Sequence, residues 1–163
     1  MTTQPNASES PSEDFSARLN ASLDGWNASM GVHFVLATAD EVIAQLQIGV
    51  VHHQGYGIVH GGVYSGLIET VTSVGAALSA MKLGRSVVGL ENHTSFLHAT
   101  REGLLRATAR PIARGRRTQV WEATITDGSG RAVASGRVRL LSLDPDAPLA
   151  GETVAVKRPF NPD

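Results

Sequence analysis

One carboxylate, Glu69, stands inside an otherwise apolar run, HHQGYGIVHGGVYSGLIETVTSVGAALSAM, residues 52–81. An ionised glutamate buried without a partner costs several kcal/mol, so a chain that keeps one there has a use for it. A carboxylate can attack an electrophilic carbon or take a proton from water. The same run holds His60, Gly61 and Gly62 where a helix would begin. Unpaired N–H groups and the positive end of the helix dipole gather at such a point, and glycine lets a carbonyl approach the backbone closely. A carboxylate plus backbone donors for an oxygen that becomes negative are the parts that acyl transfer needs. Gly61 N–H is the candidate donor, and the Ser73 hydroxyl, one turn beyond Glu69, is placed to hold the carboxylate.

Other elements must position these groups. From Gly61 onward, Val63, Leu67, Ile68, Val71, Val74, Leu78 and Met81 recur at three and four, with Gly and Ala filling the remaining faces. That spacing predicts one long helix, apolar and therefore buried on all sides. Phe15, Leu19 and Leu23 recur every four residues and predict a short helix over 14–23. GVHFVLATADEVIAQLQIGV reads as two strands turning at Ala39 and Asp40. Four more strands are expected near 86–98, 103–113, 118–126 and 131–142, the last two joined by the turn sequence DGSG. Two strands, a buried helix and four strands predict an α+β domain over 14–143, with an antiparallel sheet wrapped around the helix. Residues 1–13 are polar and 144–163 Pro-rich, and both read as tails outside the core.

Composition narrows the field. A chain of 163 residues supports one core, and 42% hydrophobic with 18% charged residues is ordinary for a globular protein. A net charge of −1 argues against a nucleic-acid binder. The absence of cysteine excludes disulfides, thiolate metal sites and cysteine nucleophiles. The histidines lack metal-ligand spacing, since the adjacent His52 and His53 would point apart on a strand, and neither a metal nor a cofactor is expected. The N-terminus lacks a secretory apolar region and no run has the length of a membrane span, so the cytoplasm is the expected location.

The segments GIVHGGVYSGLIET, VVGLENHTSF and REGLLRATARPIARGRRTQVWEATITDGSGR, in that order, resemble the hotdog-fold acyl-coenzyme A thioesterases over about residues 25–142. The nearest subgroup is the 4-hydroxybenzoyl-CoA and phenylacetate type, with similarity also to 1,4-dihydroxy-2-naphthoyl-CoA thioesterases. The resemblance implies hydrolysis of a compact, aromatic acyl-CoA, with Glu69 as nucleophile or general base and Gly61 N–H at the oxyanion. Gln54 matches a glutamine that lies against the thioester carbonyl, and His60 matches a turn histidine that shapes the pocket. Ser73 stands where a close relative has threonine. Asn92, Thr94 and Ser95 match pocket-lining positions. Coenzyme A carries several negative charges, and Arg110, Arg114, Arg116 and Arg117 cluster around Gly115, with Arg114, Arg116 and Arg117 the candidates for its phosphates.

Spacing adds a constraint. Gly61 and Glu69 lie about 12 Å apart along a helix at ~1.5 Å per residue, too far for both to reach one carbonyl easily. Two antiparallel helices from two chains remove the difficulty, so each site is expected to join Gly61 of one subunit with Glu69 of another. The resemblance implies the same homodimer, usually paired into a homotetramer. Competing readings make Glu69 a structural ion pair or a hydrogen bond across a dimer, Ser73 a small packing residue, and the arginines a solvated turn. A hotdog hydratase would want an Asp and His pair, and 52–81 holds no Asp. A non-catalytic acyl-CoA sensor would lack the carboxylate, and a medium-chain fatty acyl-CoA thioesterase would keep it.

Overall fold

The computed structural model describes residues 13–153, so residues 1–12 of the expected tail at 1–13 and residues 154–163 of the expected tail at 144–163 lie outside the described residues. α1 (Ser16–Ala21) stands within the predicted helix over 14–23, and a second short helix that was not predicted, α2 (Gly25–Ser29), follows it. It opens at Gly25, whose φ of 53° is left-handed. Phe15 and Leu19 are buried and Leu23 packs against the core, as their spacing requires.

β1 (Val32–Ala37) and β2 (Val42–Gln47) form the expected antiparallel hairpin. The long helix α3 (Gly61–Met81) follows, then β3 (Ser86–Phe96), β4 (Leu104–Arg114), β5 (Thr118–Thr126) and β6 (Ala132–Leu143). The six strands make one antiparallel sheet in the order β1-β2-β4-β5-β6-β3, and α3 lies across it in the hotdog arrangement. Residues 144–153 end in a small exposed hairpin, β7 (Pro148–Leu149) and β8 (Glu152–Thr153).

Small residues on the inner face of the sheet let the helix come close. Ala44, Ala107, Ala109 and Ala123 are buried beside Leu46, Leu105 and Ile125. At Gly75 the approach is closest, for a Cβ there would lie 2.4 Å from the Trp121 ring. Trp121 is fully buried; its indole N–H donates to Gln119 Oε1 at 3.0 Å, and Gln119 Nε2 donates to the Ala76 carbonyl at 3.1 Å. Each buried polar group in that contact therefore has a partner.

The predicted all-round burial of α3 is corrected within a single chain. Leu67, Ile68, Val71, Ala76 and Leu78 are buried, but Ser65, Glu69, Ser73 and Ala77 are only half-buried. The sheet covers one side of the helix, and α2 covers only part of the other, with Trp26 against Gly66 and Asn27 Oδ1 accepting from the Thr70 hydroxyl at 2.9 Å. β3 hydrogen-bonds to β6 alone, which leaves its second edge, 11 residues long, unpaired among the described residues.

Candidate active site

Glu69 projects from α3 toward β3, and both its oxygens are held. Ser73 Oγ donates to Oε1 at 3.1 Å, and Asn92 Nδ2 donates to Oε2 at 2.9 Å. The Asn92 amide also donates to the Ser65 carbonyl at 3.1 Å, while Thr94 Oγ1 donates to Asn92 Oδ1 at 2.7 Å. Two acceptors facing Nδ2 and a hydroxyl facing Oδ1 fix which way the amide points. Among the described residues no cation pairs with Glu69; its donors are neutral. The ion-pair reading of Glu69 therefore has no support among the described residues of the chain.

A strand that merely alternates would not present these groups together. β3 carries a bulge between Gly89 and Glu91, so Gly89 and Asn92 both face α3 although two residues lie between them, a spacing that would put them on opposite faces of a regular strand. Gly89 makes room for the carboxylate, since a Cβ there would lie 2.6 Å from Glu69 Oε1 and would push it aside. Opposite Thr94 on β6, Gly136 plays a similar part: a Cβ there would lie 2.9 Å from Thr94 Oγ1 and 3.2 Å from Ile68 Cδ1. Neither glycine was singled out from the sequence, although a glycine inside a strand signals a bulge or close approach.

At the start of α3, His60 is the N-cap: its Nδ1 accepts from Gly62 N–H at 2.8 Å, so the ring proton sits on Nε2. The Val63 N–H is taken by the His60 carbonyl at 2.9 Å. The Gly61 N–H has no acceptor among the described residues, and it is the free donor of the first turn. The Phe96 ring lies beside it, close enough that a Cβ on Gly61 would sit 2.8 Å from the ring edge, and it packs on Tyr64 at 6.2 Å between centroids. Burial pushes the Tyr64 phenol up, with the facing Thr100 hydroxyl offsetting part of that. Gln54 belongs to the tight loop before the helix, where its N–H donates to the Ile58 carbonyl and its carbonyl accepts from Gly57 N–H. The side-chain amide of Gln54 makes no hydrogen bond among the described residues.

The remaining sequence candidates separate. Thr94 joins Asn92 at the carboxylate, but Ser95, one residue on, opens to the opposite face of the sheet beside His93, Glu122 and Ser135. Arg114 turns to the β1–β2 turn, where it pairs with Asp40 at 2.8 Å, donates to the Ala39 carbonyl and stacks over Trp121. Arg110 pairs with Glu41 at 2.6 Å. Arg116 and Arg117 line a groove with Arg85, Thr118, Ser142 and Asp144 near the C-terminal end of α3. Arg85, which the sequence reading missed, is tied there to the Arg116 carbonyl and to Asp144 at 2.9 Å. The described residues contain no metal-ligand cluster, and no helix is long and apolar enough to cross a membrane.

Residues 56–134 match the family described as the Thioesterase superfamily. The chain is similar to Rv1847 of Mycobacterium tuberculosis (strain ATCC 25618 / H37Rv), with 40% identity over 136 residues that cover 82% of this chain and 96% of that protein. The solved structure of Rv1847 from Mycobacterium tuberculosis superposes with a TM-score of 0.72 over 73% of this chain and 96% of that one. Similarity extends to the 1,4-dihydroxy-2-naphthoyl-CoA hydrolase of Listeria monocytogenes serotype 1/2a (strain 10403S), 35% identical over 113 residues, 69% of this chain and 91% of that protein.

Proposed function

The chain belongs to the thioesterase superfamily, and from that premise we propose that it hydrolyses the thioester of a compact, aromatic acyl-CoA at Glu69. The observation that carries this reading is the state of that carboxylate: oriented at both oxygens by neutral donors and neutralised by no cation. Such a group has a fixed aim, which suits attack or proton abstraction. In one route a Glu69 oxygen attacks the carbonyl carbon, the coenzyme A thiolate leaves, and water opens the resulting anhydride. In the other, Glu69 takes a proton from water as the water oxygen attacks. Both create an oxyanion, for which the free Gly61 N–H and the uncommitted Gln54 amide are the donors. Transfer of labelled water oxygen into Glu69 over turnovers marks the first route, with water opening the anhydride at the Glu69 carbonyl.

Glu69 and Gly61 lie eight residues apart on one helix, so each site takes Glu69 from one protomer and Gly61 from the other. The unpaired edge of β3 supports the dimer, because a long free edge is a surface that a second chain's strand can complete. Dimers pair further into a homotetramer. Verified heterodimers of Glu69→Ala and Gly61→Val chains should regain activity that neither parent dimer has. Arg116 and Arg117, which make no ion pair among the described residues, are the candidates for the coenzyme phosphates, and Arg114 is already committed to Asp40. Because that end is exposed, removing either arginine should raise KM more than it lowers kcat.

The aromatic acyl group rests on the likeness to a naphthoyl-CoA hydrolase. Free-thiol release from aryl-, phenylacetyl- and medium-chain acyl-CoAs tests the reading. Turnover of the aryl class, reduced by about a hundredfold or more in Glu69→Ala, is the expected result. Binding of acyl-CoA without any thiol release would make the protein a carrier instead.

A further inference from the structure

We propose that Arg101 is a positioning residue for the reaction just described, a clamp that fixes the loop delivering Gln54 and the start of α3. The inference rests on that reading of Gln54 and Gly61 but not on the identity of the acyl group. The loop from His53 to Val59 closes on itself through the His53–Val59 bridge and the Gln54–Gly57 and Gln54–Ile58 backbone hydrogen bonds. Its other ties run to two adjacent residues after β3. Val59 N–H donates to the Thr100 carbonyl at 2.8 Å, and His53 Nε2–H donates to the Arg101 carbonyl at 2.7 Å. The Arg101 side chain then returns over the loop, where Nη1 donates to the Tyr56 carbonyl at 2.9 Å and the Gly57 carbonyl at 3.1 Å.

Two features mark this as more than a chance surface contact. Gly57 has a left-handed φ of 66°, and a Cβ there would lie 3.1 Å from Arg101 Nη1, so the turn is shaped around the guanidinium. Arg101 also has no carboxylate partner among the described residues, and the side-chain hydrogen bonds it makes, both from Nη1, go to backbone carbonyls of this loop. One cation therefore ties the tip of the loop, while the chain on either side of it ties the base. The loop ends at His60, whose ring caps the helix and leaves Gly61 N–H as the open donor. Small displacements of such donors weaken transition-state stabilisation more than substrate binding.

The test compares wild type, Arg101→Lys and Arg101→Ala by steady-state kinetics and by backbone amide exchange. The expected result for Arg101→Ala is a kcat lower by tenfold or more with KM within about threefold, partial recovery on adding free guanidinium, and an intermediate kcat for Arg101→Lys. Amides of 57–60 should exchange faster while those of β5 and β6 keep their protection. A kcat within twofold of wild type, failure of guanidinium to restore any rate, or exchange that rises equally across the sheet would each overturn the proposal. Wild type that hydrolyses no thioester would instead defeat the functional reading, and the exchange comparison would still decide whether Arg101 holds the loop.

Discussion

The two halves of α3 meet the sheet through the same device and put it to different ends. Toward the C-terminus, Gly75 of the helix leaves a space that the Trp121 ring fills, and the polar atoms nearby bond to each other. Nearer the N-terminus, Gly89 of the sheet leaves a space that a carboxylate oxygen of Glu69 fills. A missing side chain at a helix–sheet contact makes room. What stands across from it decides whether that room becomes packing or chemistry.

Substitutions should separate the two regions. The largest effect belongs to Trp121→Ala, which should lower unfolding free energy by about 3–5 kcal/mol, measured in denaturant, while the rate per folded molecule changes little. Glu69→Ala should do the reverse: a loss of about a hundredfold in kcat, or ~2.7 kcal/mol of barrier, with the unfolding midpoint nearly unmoved. The comparison is sharpest between the glycines. Gly75→Ala forces a methyl into a filled core and should destabilise by about 1–3 kcal/mol. Gly89→Ala displaces only the end of a flexible side chain, so it should spare stability and lower kcat. If both alanines act mainly on stability, the distinction between the regions fails.

The β5–β6 turn supplies the smallest effect and a control. The Asp127 carboxyl is held at about 2, chiefly by the Ser129 hydroxyl, with the Ser129 and Arg131 N–H groups and the Arg131 guanidinium adding to it. A depressed carboxyl stabilises the folded state above its unfolded value of 3.8, and that contribution fades as pH falls toward 2. Asp127→Asn should therefore differ in stability from wild type at neutral pH and converge with it between about pH 4 and 2, with no change in kcat at neutral pH.

The helix and its carboxylate were legible because they depend on spacing within one segment: Leu67, Ile68, Val71 and Leu78 keep the helical period, and Glu69 interrupts it. The strands were legible for the same reason. The helix predicted over 14–23 appears as α1, but α2 beyond it was missed, because its five residues are too few to show a period and it opens at a left-handed Gly25 that periodicity does not register. Asn92, Thr94 and Ser95 looked equivalent in sequence. Alternation along β3 sets Ser95 on the face opposite Asn92 and Thr94, and the bulge before them decides which of those faces meets α3. The arginines also looked alike, but Arg114 is claimed by a hairpin far away in the chain, a long-range pairing that composition cannot show.

The order of the sheet also bears on when this pocket comes into being. β3 leaves the ribosome ahead of β4, β5 and β6, yet among the described residues the only strand it pairs with is β6, the last of the six to be made. Until that strand arrives, Asn92 and Thr94 belong to a segment with no ladder on either side, while α3 can already lie on β1 and β2. Non-local pairing of this kind closes late in folding. Newly made chains thus carry Glu69 before its setting exists, and the site becomes whole only as the sheet is finished.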